Sequence, residues 1–167
     1  MPYSTRVFDS DVVQLVRQLA PERVLDIGAG AGKWGQILRR MVGEIDAVEI
    51  HEPYVGRFQL RRFYGSVYIQ DAADCDVSGY NLVILGDVLE HMTVADARAL
   101  LDRCEAARVG VLVLVPFLLP QGASHGNEHE RHLQPDLTHE LFMERYPGFD
   151  TIKRNFRFGL YYRGAAK

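Results

Sequence analysis

One stretch of twelve residues limits what this chain can fold into more than any other: Val24-Leu25-Asp26-Ile27 runs directly into Gly28-Ala29-Gly30-Ala31-Gly32-Lys33-Trp34-Gly35. The short apolar run from residue 23 to 27 reads as a buried strand. The glycines after it carry no Cβ, so the backbone can turn sharply and approach a ligand closely. A helix over about residues 33–40 follows. Its first turn offers unpaired N–H groups and a positive end, both aimed at whatever occupies the turn. In a doubly wound sheet this is the crevice where cofactors bind.

Three ligands compete for such a turn. A triphosphate loop needs Gly, four residues, then Gly-Lys-Ser/Thr. Ile27 stands where its first glycine belongs and Trp34 where its hydroxyl belongs, so that motif fails. A dinucleotide fingerprint fits Gly30, Gly32 and Gly35, with Glu49 nineteen residues after Gly30, but it begins four residues beyond Asp26. Asp26 tilts the choice. A carboxylate at the end of the first strand repels a pyrophosphate and suits a cation, directly or through water to an ammonium. S-adenosylmethionine carries an ammonium and a sulfonium and no phosphate. An NAD-binding oxidoreductase domain stays as the rival reading.

The rest of the chain alternates strand and helix. Residues 9–19 form an apolar helical stripe with Asp9 or Ser10 as its cap, ended by Pro21. Gly43 closes the second helix, and residues 45–49 make a second strand. Pro53 can open a helix running to about Arg62. Residues 64–69 read as a third strand, while 71–79 leave no room for a full crossover helix. A fourth strand at 82–85, a helix at 94–106 and an almost wholly aliphatic fifth strand at 109–115 follow. Unbroken Val/Leu runs of this kind belong to parallel strands covered on both faces. A polar stretch from Pro120 to Leu133 reads as a long loop, and 135–145 as a helix. Strands at 150–155 and 157–163 lie too close in sequence for a crossover and must pair antiparallel. The pattern is an α/β open sheet, expected as one domain over residues 1–167 with a long loop at about 117–133.

With these residues in view, the sequence resembles the class I S-adenosylmethionine-dependent methyltransferases, by motif over about Arg23 to Val115. The resemblance implies a Rossmann-like, doubly wound, seven-stranded, mostly parallel sheet of order 3-2-1-4-5-7-6 with strand 7 antiparallel. It implies that Asp26, Gly28, Ala29, Gly30 and Gly32 hold the methionine part of the cofactor. Glu49, followed by Ile50, stands where the family binds both ribose hydroxyls, and a carboxylate can accept from two vicinal hydroxyls at once. Asp71 and Ala72 match the adenine-binding turn after strand three. Gly86, Asp87 and Val88 pass along the cofactor, and the run Asp87-Val88-Leu89-Glu90-His91 resembles small-molecule enzymes of the family.

The acceptor is less defined. The family's Asn/Asp-Pro-Pro-Tyr/Phe tetrad for amide and base nitrogens is replaced by Gly86-Asp87-Val88-Leu89. Cytosine methylation needs a cysteine nucleophile after strand four or five, whereas Cys75 precedes strand four and Cys104 lies in a helix. Both cysteines are expected to be packing residues. A small-molecule acceptor methylated at oxygen or an amine by in-line displacement is the resulting expectation, with a partner-dependent or noncatalytic cofactor-binding subunit as the alternative. His91, His129 and His132 are the candidate catalytic groups, and resemblance to family enzymes with a Glu-x-x-His segment after strand five implies that Glu128, His129 or His132 faces the donor methyl. His125, His129 and His132 do not have a familiar ligand spacing, so no metal is expected. Formal net charge is −3 with 47% hydrophobic and 25% charged residues, a globular composition without a basic field for nucleic acid. No signal or spanning run is read, so a cytoplasmic location is expected and the oligomeric state is left open.

Overall fold

The computed structural model describes residues 3–124 and 126–165. The chain runs α1 (Asp9–Leu19), β1 (Arg23–Ile27), α2 (Lys33–Leu38), β2 (Glu44–Val48), α3 (Glu52–Arg57), β3 (Val67–Tyr68), β4 (Leu82–Gly86), α4 (Val94–Ala106), β5 (Gly110–Pro116), α5 (His139–Arg145), β6 (Asp150–Arg154) and β7 (Phe158–Arg163). The seven strands form one sheet of order β3-β2-β1-β4-β5-β7-β6. The first five in chain order pair parallel, and β7 runs antiparallel to β5 and to β6. The expected fold class and strand order are therefore met.

Period-two alternation along the strands sorts the core into two layers. Leu25, Ile27, Val83, Leu85, Val111 and Val113 pack with Leu100, Leu101 and Cys104 of α4 and Phe142 of α5. Val24, Ile45, Leu82, Ile84, Leu112 and Leu114 pack on the other face with Val12 and Val16 of α1 and Trp34 and Leu38 of α2. Every residue of β5 is buried, as its aliphatic run requires. Cys75 and Cys104 are both buried and unpaired. At the far edge every residue of β6 is exposed, and its register shifts between Thr151 and Lys153. Charge and irregularity of this kind disfavour pairing of an open edge with other strands. No helix among the described residues is long and apolar enough to cross a membrane.

Several element boundaries differ from the sequence reading. The third strand shrinks from 64–69 to two residues, because Tyr64 N–H bonds back to Leu60 O and the Tyr64 ring is buried against α2. Helix α3 does begin with Pro53 in its first turn, but stops at Arg57; Gln59 turns left-handed (φ 52°) and a separate 3₁₀ turn covers Leu60–Arg62. Helix α5 starts at His139 rather than Pro135, where the Thr138 hydroxyl caps Leu141 N–H. Neither Asp9 nor Ser10 caps α1. Phe8 holds the cap position without a side-chain bond, and Asp9 instead pairs with Lys33 at 2.5 Å. Between β3 and β4 only a 3₁₀ turn, Ala72–Asp74, occupies the place of a crossover helix.

Candidate functional site

The carboxyl ends of β1, β2 and β4 meet at a cavity of about 430 Å³. Gly28 and Gly30 of the glycine turn form one wall, Glu49 and Ile50 another, and Gly86, Asp87 and Val88 a third. Gly28 has φ +73°, and a Cβ there would stand 2.6 Å from Val88 Cγ2, so the turn and the β4 exit touch only because this residue is glycine. Asp71 and Ala72 close the side left open by the missing crossover helix. Asp71 is exposed, and its Oδ1 accepts from Ala73 N–H at 2.8 Å.

Glu49 does two things at once. Its Oε2 accepts from Gly30 N–H at 2.7 Å and its Oε1 from His51 N–H at 2.8 Å, tying the end of β2 to the glycine turn. Burial raises its pKa, against the pull of those two N–H donors.

Asp26 sits elsewhere. It does not line the cavity; it is 1% exposed and receives the Tyr64 hydroxyl proton at 2.5 Å, while that hydroxyl accepts Gly35 N–H at 3.0 Å. This chain of bonds fastens β1 to the first turn of α2, so in the structure Asp26 braces the glycine turn from behind. Burial pushes its pKa up to about 7. Gly32 and Ala29 likewise fall outside the cavity wall. Gly35 belongs to this brace, for an added Cβ would lie 2.5 Å from Tyr64 Cζ. Gly35→Ala is expected to cost about 1–3 kcal/mol through overpacking against a rigid ring, lowering the melting temperature by several degrees at about 2–4 °C per kcal/mol. Thermal melts check this, and an unchanged midpoint would mean that the ring moves aside freely.

The long loop is more built than its composition suggests. A bridge pairs Ser124 with Asn127, and Glu128–Glu130 forms a 3₁₀ turn capped by Asn127. His125 lies outside the described residues. The expected inward group Glu128 is a correction: its side chain is 77% exposed and paired with Arg131. Glu130 turns inward in its place, accepting the Tyr54 hydroxyl at 3.1 Å and lining the cavity with Asn127 and His129. His91 lines the cavity too, whereas His132 is buried behind it, the two rings meeting edge-on at 4.6 Å. Burial and the neighbouring His132 push the His91 pKa down to about 4, so its imidazole is neutral at pH 7.

Two contributors had no signal in the sequence. Ser4 reaches the cavity because the amino-terminal segment lies along the β4 exit, with Ser4 Oγ donating to Gly86 O and Thr5 N–H to Asp87 Oδ2. Lys33 holds that segment by binding Thr5 O and Asp9. Tyr54 comes from a helix face whose tyrosine is indistinguishable from a core residue by pattern. Five carboxylates, Glu49, Asp71, Asp87, Asp96 and Glu130, face or border the cavity, and no Lys or Arg does among the described residues.

No family model matches the sequence, and no curated protein matches it. Solved structures do. The N-terminal domain of EvdMO1 with SAH bound aligns with a TM-score of 0.71 and 14% identity, covering 98% of this chain and 83% of that one. Magnesium protoporphyrin IX methyltransferase (ChlM) from Synechocystis PCC 6803 with bound SAM aligns at 0.63 and 21% identity, covering 95% and 79%. N-methyltransferase NodS from Bradyrhizobium japonicum WM9 aligns at 0.65 and 11% identity, covering 97% and 98%. The chain spans 54% of the length of a further match, from Nostoc punctiforme PCC 73102. At these identities the likeness is one of architecture, and with the sheet order it establishes that this chain has the class I S-adenosylmethionine-dependent methyltransferase fold.

Proposed function

We propose that this chain transfers a methyl group from S-adenosylmethionine to a small-molecule acceptor bound in the cavity above β1, β2 and β4. The observation that carries the reading is the charge of the wall: five carboxylates and, among the described residues, neither Lys nor Arg. A pyrophosphate would meet repulsion there with no Lys or Arg of the wall, among the described residues, to offset it. A sulfonium with an ammonium gains from the same field. Glu49, with two oxygens at the cavity edge, is the ribose partner; Gly28 and Gly30 take the methionine part, and Asp71 with Ala72 takes the adenine.

Methyl transfer needs nucleophile, methyl carbon and sulfur nearly in line, so positioning supplies much of the rate. A hydroxyl acceptor must also lose a proton. His91, at a pKa of about 4, is a weak base at pH 7. His129, exposed at the cavity rim, is the better group for that proton. His132 has no access to the cavity and acts through the segment it anchors.

Calorimetric titration with the demethylated cofactor tests the reading. One molecule per chain is expected, with NAD at least tenfold weaker; equal affinities would overturn it. In parallel, His129→Ala is expected to bind the demethylated cofactor as the wild type does and to lose most transfer of labelled methyl to hydroxyl- or amine-bearing metabolites. Binding without transfer to any acceptor would favour a cofactor-binding subunit.

A further inference from the structure

Behind the cavity wall lies a group of side chains that the proposed methyl transfer leaves unused. Glu90, His91 and His132 each bring one ligand atom within 4.8 Å of the others. Glu90 is 1% exposed, and both of its carboxylate oxygens are buried without a hydrogen-bond partner among the described residues. An isolated buried carboxyl is costly to keep. Asp87, whose Oδ1 is also buried without a partner among the described residues, adds a second negative field that acts on Glu90.

The two histidines are set up as ligands. His91 Nδ1 lies 3.1 Å from Arg131 O and His132 Nδ1 lies 2.6 Å from Leu119 O. A carbonyl only accepts, so each Nδ1 carries the proton and each Nε2 keeps its lone pair. Donation from the distal ring nitrogen to a backbone carbonyl is how metal-binding imidazoles are oriented. The backbone is locked around them. Leu133 N–H and Gln134 N–H both donate to Glu90 O, at 2.7 and 3.1 Å, and Gln134 Nε2 donates to Leu89 O at 2.8 Å. The loop carrying His132 is thereby pinned to the turn carrying Glu90 and His91.

We infer that Glu90, His91 and His132 form a site for one divalent transition-metal ion at the cavity wall. Two imidazoles and a carboxylate suit zinc, manganese, iron or cobalt and disfavour magnesium and calcium, which prefer all-oxygen sets. Bonds of about 2.0–2.2 Å in a tetrahedral or trigonal set hold ligand atoms about 3.3–3.8 Å apart, so the three atoms, now within 4.8 Å of one another, come onto one ion by closing up to about 1.5 Å through side-chain rotation. Because His91 belongs to both the cavity wall and the cluster, the ion's remaining positions are where an oxygen or nitrogen of an acceptor would bind. The inference stands apart from the methyl-donor reading, since metal binding is measured without cofactor.

Equilibrium dialysis of the purified, chelator-treated chain against Mn²⁺ and Zn²⁺ tests it, with Mn²⁺ binding followed independently by loss of the free-ion electron paramagnetic signal. One ion per chain is expected in the wild type, and Mg²⁺ should compete poorly. Glu90→Gln and His132→Gln are each expected to weaken binding at least tenfold while melting cooperatively, and His139→Gln, at a histidine elsewhere in the fold, to bind as the wild type does. Should Glu90→Gln fail to fold, His132→Gln carries the test. A wild-type chain that binds neither ion, or Glu90→Gln and His132→Gln chains that bind as tightly as wild type, would overturn the site.

Discussion

Glu49→Gln is expected to weaken binding of the demethylated cofactor by roughly ten- to a hundredfold, the equivalent of about 1.5–3 kcal/mol for a charge-assisted hydrogen bond. Both Glu49 oxygens already accept backbone N–H groups, from Gly30 and His51. Each oxygen has a second lone pair for a ribose hydroxyl. Glutamine keeps one acceptor oxygen and replaces the other with an N–H₂ group. That group must then face either Gly30 N–H or His51 N–H, donor against donor. The substitution therefore removes a ribose acceptor and loosens the glycine turn in one step. The sheet should survive it, because Glu49 follows the last residue of β2 and its side chain is outside the apolar layers. Calorimetry gives the affinity and circular dichroism the fold. An unchanged dissociation constant would put the ribose elsewhere in the cavity.

The dual use of Glu49 also marks where sequence reasoning stops. Strand, glycine turn and helix were legible because each follows from local chemistry: apolar runs of strand length, residues without Cβ, and a helix whose start is exposed. Sheet order was legible through the family resemblance, and the antiparallel terminal pair from the short connection alone. Asp26, expected to meet the cofactor directly or through water, does not line the cavity, because strand alternation depends on register. In the parallel pairing with Ala47 and Ile84 its side chain goes to Tyr64 and α2. Tyr64 itself reads as a strand residue by β-propensity, yet it serves as the hinge pin of the brace. Glu128 and Glu130 are two residues apart in a polar loop, and no local rule says which turns inward. The Tyr54 hydroxyl and the Gln121 amide, one from α3 and one from the loop start, settle it in favour of Glu130. Glu90 and His91 stood in a recognised motif and His132 in the loop, and the backbone bonds that bring them together are not revealed by spacing, so the sequence weighed a metal only on the loop histidines, whose spacing is unfamiliar.

Asp26→Asn is expected to become progressively more stable relative to wild type as pH rises from about 4 to 7. Burial is the largest cause of the raised pKa, about 7 against an ordinary 3.8; the Tyr64 hydrogen bond and Lys33 oppose it, and Glu49 adds to it. Between those two values the folded chain keeps a proton on Asp26 that the unfolded chain has released. Stability then falls as pH rises through the window, and the full penalty stands above about pH 7. For a fully buried group it amounts to on the order of 4 kcal/mol at most. Asp87, raised to about 6, contributes with the same sign, while His91, lowered to about 4, contributes with the opposite sign below about 6.5. Comparing variant with wild type at each pH cancels both. Asparagine is nearly isosteric, its Oδ1 can still accept the Tyr64 hydroxyl, and it does not titrate. Denaturant melts at four or five pH values between 4 and 8 measure the difference directly. A gap that stays constant across this range would mean that Asp26 titrates as an ordinary solvent-facing carboxylate, and the brace from Asp26 through Tyr64 to Gly35 would then have to be open to water in solution.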